Sequence, residues 1–137
     1  MGRRYPRGET LLFQGSVAAG SSSSLVSGQV AYPFAIDDVL VNWVLGTQRT
    51  LSLELIWDTS VNAPATGRPS GNNVIGGLGN SRGMVGDAYP TLYPVYHVVD
   101  VAGAFLKVFG TNSDATYAHT VDVMVRIFRL EDVEGAR

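Results

Sequence analysis

From Leu11 onward, apolar residues return at every second position in one short segment after another, and this period decides the fold class. Side chains two apart share one face of a β-strand, whereas a helix gathers those three and four apart. The pattern is cleanest over residues 50–57, where Leu51, Leu53, Leu55 and Trp57 alternate with Ser52, Glu54 and Ile56, giving one apolar and one mostly wet face. It returns over residues 119–130, with Val121, Val123, Val125 and Ile127 on one side and Asp122, Met124, Arg126 and Phe128 on the other. Residues 36–45 place Val39, Val41, Trp43 and Leu45 together, and residues 25–34 place Val26, Val30, Tyr32 and Phe34 together. Pro33 puts the end of that last run at a sheet edge or a bend. Shorter runs cover residues 11–18, 96–101 and 104–109.

The segment Gly46-Thr47-Gln48-Arg49 predicts a turn pairing strand 36–45 with strand 50–57 as a hairpin, and Trp43 and Trp57 then fall in the core. No window carries a helical repeat. Seven or eight short strands at this spacing predict an all-β, antiparallel, jelly-roll-like sandwich, with a barrel of the OB type as the alternative.

Three parts follow along the chain. Residues 1–10 read as an extended arm with Arg3, Arg4 and Arg7, residues 11–130 as one β-sandwich domain, and residues 131–137 as a polar tail. Within the domain, residues 58–94 carry Pro64, Pro69, Pro90 and Pro94 among seven glycines, which predicts a long loop with at most a short edge strand at Asn73-Val74-Ile75. Loops of that length are usually functional or interfacial.

Composition narrows the function. Charged residues make up 16%, against about a quarter in ordinary domains, so the surface is either covered by other subunits or rich in Ser, Thr and Asn. A net charge of −2 gives no footprint for nucleic acid. The absence of cysteine removes disulfides, thiolate metal sites and thiol nucleophiles. No segment approaches the ~18 apolar residues of a membrane span, and the basic N-terminus lacks the apolar stretch of a secretory signal. Gly2 is followed by Pro6 where a myristoylation motif wants Ser or Thr.

Catalytic patterns fare no better. His97 precedes Asp100 and His119 precedes Asp122 by three residues, which on a strand sets each pair on opposite faces. Asp37-Asp38 offers clustered oxygens for calcium, with Asp58 and Asp87 as partners, but lacks the spacing of a calcium loop and equally suits a turn and its cap. Gly76-Gly77-Leu78-Gly79-Asn80-Ser81-Arg82-Gly83 is neither a dinucleotide loop nor a P-loop, because no helix follows and Gly-Lys-Ser/Thr is missing. There is no Gly-x-Ser-x-Gly elbow. The expectation is a non-enzymatic protein without metal or cofactor.

Tyr89, Tyr93 and Tyr96 surround a proline-rich stretch expected at the surface, where they would seal a subunit interface or stack on sugars. The order of the pieces supplies a further reading. A short strand and a Gly/Ser tract precede Tyr32-Pro33-Phe34-Ala35-Ile36-Asp37-Asp38-Val39-Leu40-Val41 and a glycine turn; the 51–57 strand gives way to a long Gly/Pro loop. The chain closes with Phe105-Leu106-Lys107-Val108-Phe109-Gly110-Thr111-Asn112-Ser113 and His119-Thr120-Val121-Asp122-Val123-Met124-Val125.

In style this arrangement, over residues 10–130, resembles small jelly-roll proteins of virus particles, particularly head-decoration (cement) or minor capsid proteins of tailed bacteriophages. The resemblance implies a homo-oligomer, often a trimer, on the capsid surface, clamping major capsid or other virion subunits. Its contacts would come from Arg3, Arg4 and Arg7 of the arm, from Arg68 and Arg82 of the long loop, and from Tyr89, Tyr93 and Tyr96. A carbohydrate-binding β-sandwich built on the same tyrosines is the alternative.

Overall fold

The computed structural model describes residues 8–75 and 83–131 of the chain. Eight strands run in order: β1 Gly8–Val17, β2 Ser22–Val26, β3 Phe34–Asn42, β4 Leu51–Asp58, β5 Asn72–Ile75, β6 Pro90–Val99, β7 Phe105–Asn112 and β8 His119–Arg129. They form two four-stranded antiparallel sheets, sheet I in the order β1-β8-β3-β6 and sheet II in the order β2-β7-β4-β5. The pairs β1–β8, β2–β7, β3–β6 and β4–β5 are nested, so the chain is one long antiparallel ribbon rolled until its two halves face each other. That winding is the jelly roll.

The alternation dictates what lies between the sheets. Sheet I contributes Phe13, Val17, Ile36, Val39, Val41, Val121, Val123, Val125 and Ile127; sheet II contributes Leu51, Leu53, Leu55, Leu106 and Val108, all buried in one cluster. Each such side chain removed from water contributes about 1.5–3 kcal/mol.

The predicted hairpin between the second and third long strands does not form. β3 pairs with β6 and β8, whereas β4 pairs with β5 and β7, so residues 43–50 carry the chain across the sandwich from sheet I to sheet II. Backbone hydrogen bonds Thr47 N to Val44 O and Thr50 N to Thr47 O fold that crossing, with Thr47 fully buried. Each strand buries its apolar face against the other's sheet, which satisfies the same alternation that a hairpin would. Trp43 lies in the core as expected, its indole under Gly86, where an added Cβ would stand 2.5 Å from Nε1. Trp57 only packs against the edge of the core, and Leu45, expected beside Trp43, is exposed on the crossing.

Two further readings are corrected. The run 25–34 is not one strand: β2 begins within the serine tract and ends at Val26, Val30 makes an isolated bridge to Ala104, and β3 starts only at Phe34. Pro33, which cannot donate to a ladder, stands in this link between sheets. The second concerns residues 90–94, read as loop, which belong to the ten-residue strand β6. Pro90 and Pro94 are tolerated because β6 is the outer strand of sheet I. The short strand expected near residues 73–75 is present as β5, at an edge of sheet II.

Candidate interaction surface

The face of sheet I turned away from the core is where the structure departs most from an ordinary sandwich. Strand register assembles its outward side chains into rows that cross all four strands. Leu12 on β1 lies opposite Met124 on β8, Met124 opposite Leu40 on β3, and Leu40 opposite Leu92 on β6. Toward the other end of the sheet, Gly8 lies opposite Phe128, Phe128 opposite Ala35, and Ala35 opposite Val98. Between these apolar rows runs a third, Thr10, Arg126, Asp38 and Pro94. Leu12, Leu92, Tyr96 and Val98 remain 61%, 56%, 78% and 52% exposed. The face therefore carries two exposed apolar rows divided by a charged one, more apolar surface than the solvent side of a sheet usually shows.

The middle row carries the face's ion pairs. The Arg126 guanidinium donates from Nη2 to Asp38 Oδ2 at 2.8 Å and from Nε to Asp38 Oδ1 at 3.4 Å, while Asp37 Oδ2 stands 3.9 Å from Nε. Asp37 is the extra residue where the β3–β8 register shifts. Beyond it a hollow of about 350 Å³ opens between Ala35, Ile36, Asp37, Tyr96, Val98 and Phe128. Tyr96 sits where the β3–β6 register also shifts, in left-handed backbone at φ 53°. A bulky residue there is strained, and such strain clusters at functional positions. Gly8 has its own reason: an added Cβ would lie 2.8 Å from the Phe128 ring that leans over it.

The sequence-predicted contact residues are dispersed over this fold. Tyr96 belongs to the face just described. Tyr93 points inward and packs against the core, and Tyr89 is exposed at the far end of β6. Seven residues separate Tyr89 from Tyr96, roughly 20 Å of strand. The three rings therefore make no common platform. Arg68 lies on the loop between β4 and β5, in an ion pair with Glu54 at 3.5 Å and donating to Asn73 Oδ1. Arg3, Arg4, Arg7 and Arg82 lie outside the described residues, as do residues 76–82 of the glycine-rich piece.

The polar candidates serve turns and loops. His119 Nε2 meets Asp114 Oδ2 at 2.9 Å, and Asp114 Oδ1 accepts from the backbone N–H of Thr116 and Tyr117. Those bonds, the Thr116 N–H first and His119 next, hold the Asp114 carboxyl below its usual range. This pair borders a cleft of about 500 Å³ between Val44, Leu45, Gln48 and Tyr117. His119 lies seven residues along β8 from Arg126, the residue opposite Asp38, a separation of about 23 Å. His97 on β6 stands opposite the inward-facing Ile36, whereas Asp38 lies in the outward row with Arg126, so His97 and Asp38 sit on opposite faces of sheet I. Asp87 accepts from Gly46 N, and Asp58 lies on sheet II. Among the described residues no group of three His, Cys, Asp or Glu is placed to hold a metal.

One polar site had no forewarning in the sequence. On the outer face of sheet II, residues 59–71 fold back over Ile56 and Lys107, both fully buried. Lys107 Nζ donates to Asn62 O at 2.6 Å and Ser70 O at 3.0 Å and stands 3.4 Å from Asp58 Oδ2. The lysine thus pins the loop to the sheet. The apolar face of sheet I did leave a trace. Leu40 between Val39 and Val41, and Met124 and Phe128 among the polar positions of β8, break the alternation where a second face is apolar too.

No family model matches the chain, and no curated protein matches it in sequence. Solved structures with the same fold are nevertheless found among capsid proteins. A chain in the capsid asymmetric unit of cyanophage Pam1 superposes with a TM-score of 0.57 at 9% identity, over 91% of this chain and 86% of that one. The structure of infectious bursal disease virus Gt strain superposes with a TM-score of 0.52 at 11% identity, over 98% of this chain. Here the chain spans about a third of its counterpart, 34%. The fold is a β-sandwich jelly roll of the kind found in viral capsid proteins.

Proposed function

We propose that the chain is a structural virion protein, a decoration (cement) or minor capsid subunit of the tailed-bacteriophage type, that sits on the capsid surface and stabilises the shell through subunit contacts. The observation that carries this is the apolar outer face of sheet I, which an isolated protein would leave in water. The jelly roll is compatible with the role but also serves other functions. The phage capsid chain that superposes is of comparable length, so the likeness extends over a whole small subunit, whereas in the bursal disease virus structure it covers part of a larger chain.

The action is non-enzymatic and follows mass action: a subunit that binds only the assembled lattice stabilises that lattice against disassembly. The subunit acts as a homo-oligomer, for which the resemblance suggests three copies, and its partners are major capsid or other virion subunits. Arg3, Arg4, Arg7 and Arg82 are assigned to those contacts together with Tyr96. The carbohydrate-binding alternative is disfavoured by the dispersal of Tyr89, Tyr93 and Tyr96. Particles stripped of this protein are expected to release their contents at lower temperature or pressure than intact ones. Unchanged tolerance would contradict the role.

A further inference from the structure

We infer that the hollow beside Tyr96, on the outer face of sheet I, is a socket for an arginine side chain of a partner protein. The inference deepens the reading above, because it names the chemistry of one contact to the shell and rests on this face meeting another subunit.

The sheet breaks its own register to make the socket. Ile36 lies opposite His97 and Asp38 opposite Pro94, so Asp37 on β3 and Val95-Tyr96 on β6 are left out of the ladder together. Register breaks of this kind re-aim side chains and gather beside functional sites. Here Asp37 and Tyr96 line one hollow of about 350 Å³, whose other walls are Ala35, Ile36, Val98 and Phe128. That volume lies at the small end of binding pockets and suits one side chain rather than a larger ligand. Tyr96 keeps its place in left-handed backbone, at φ 53°, where a non-glycine residue bears a cost.

Charge selects the occupant. Arg126 donates twice to Asp38, at 2.8 and 3.4 Å, and reaches Asp37 only at 3.9 Å. Two carboxylates thus share one guanidinium, and Asp37 keeps most of its capacity to accept. The next cation along β8, Arg129, is stacked on Tyr32 with 4.2 Å to the ring centroid. An apolar group seated in the hollow would cover the Asp37 carboxylate without offering a donor, and an anion would be repelled.

The group that fits is a cation on an aliphatic stem. The stem would lie against Ala35, Val98 and Phe128, and the charge against Asp37 and the Tyr96 ring. Guanidinium suits these walls better than ammonium, because its planar fork bonds a carboxylate twice and stacks on an aromatic face. Both contacts have a counterpart within the molecule, Arg126 on Asp38 and Arg129 on Tyr32.

The test titrates the full chain with Nα-acetyl-arginine amide and follows the backbone amide NMR signals. Saturable shifts are expected at residues 35–37, 96–98 and 128. They are expected to be weaker with the lysine analogue and absent with the norleucine analogue, which keeps an aliphatic stem and lacks the charge. Asp37→Asn is expected to weaken binding of the arginine probe about three- to five-fold. Should that variant misfold, Tyr96→Gly decides: glycine accepts the positive φ, so binding is expected to fall while the circular dichroism spectrum is unchanged. Removal of residues 1–7 is expected to leave the affinity as it was.

No saturable shift, shifts centred elsewhere, equal binding of the lysine or norleucine analogue, or full affinity in either variant would overturn the socket. Tighter binding without residues 1–7 would assign it to the chain's own arginines and overturn the partner. None of these readings bears on the tolerance of stripped particles, so a failed socket and a failed virion role are told apart.

Discussion

Lys107 is the only lysine of the chain, and its ammonium is withdrawn from water beneath the 59–71 loop. A buried charge persists only where its donors are met, and here two carbonyls and a carboxylate meet them. Replacing it with Met keeps the stem but strands those acceptors. Lys107→Met is expected to destabilise the fold by about 3 kcal/mol, read from urea unfolding, and to expose the 59–71 loop to protease.

Asp58 adds a pH dependence to the same clamp. The Ser70 hydroxyl first, then the backbone N–H groups of Ser60 and Thr59 and the Lys107 charge, hold its carboxyl below the usual value of 3.8. A carboxyl lowered in the folded state contributes stability that is complete above its unfolded value and is lost as pH falls through the folded one. Stability is therefore expected to decline below pH 3.8, and Asp58→Asn to remove part of that decline in an acid-unfolding series. An identical acid limb in both proteins would count against the clamp.

At the scale of the strand, the sequence was legible in which residues face inward and silent on which strands pair. The inward sets Leu51, Leu53, Leu55 and Val121, Val123, Val125, Ile127 were readable from alternation alone, and all are buried. Alternation fixes an apolar face and says nothing about where the edge hydrogen bonds go, so β3 and β4 looked like a hairpin although they lie in opposite sheets. In this winding only β4 and β5 are both consecutive and paired, which defeats any local rule. Proline misled in the other direction: Pro90 and Pro94 signalled loop, yet an outer strand has nothing to donate to on its free side.

Those prolines carry a prediction of their own. They share one parity on β6, so the same edge lacks donors at both positions. The variant Pro90→Thr/Pro94→Thr is expected to keep the native circular dichroism spectrum while forming large aggregates on heating, followed by light scattering. Aggregation no greater than wild type would show that the edge is guarded by something else.

For the whole molecule, the jelly roll was within reach of the sequence because strand number, spacing and polarity sufficed for it. The interaction surface was not, because its apolar rows exist only across strands: Leu12, Leu40, Leu92 and Met124 are scattered over more than a hundred residues and meet through register alone. The low charge content hinted that some surface is covered, and the structure shows an apolar surface suited to that. His119, three residues from Asp122 in the sequence, instead meets Asp114 across the turn, a pairing that strand spacing does not reveal.

The central claim joins that face to a role in the virion, and one measurement addresses both: a heat challenge of particles assembled with wild-type protein or with the Leu12→Glu/Leu92→Glu variant, scored by release of their contents. The account predicts release at lower temperature from the variant particles, approaching that of particles lacking the protein. Variant particles as heat-tolerant as wild type would contradict it.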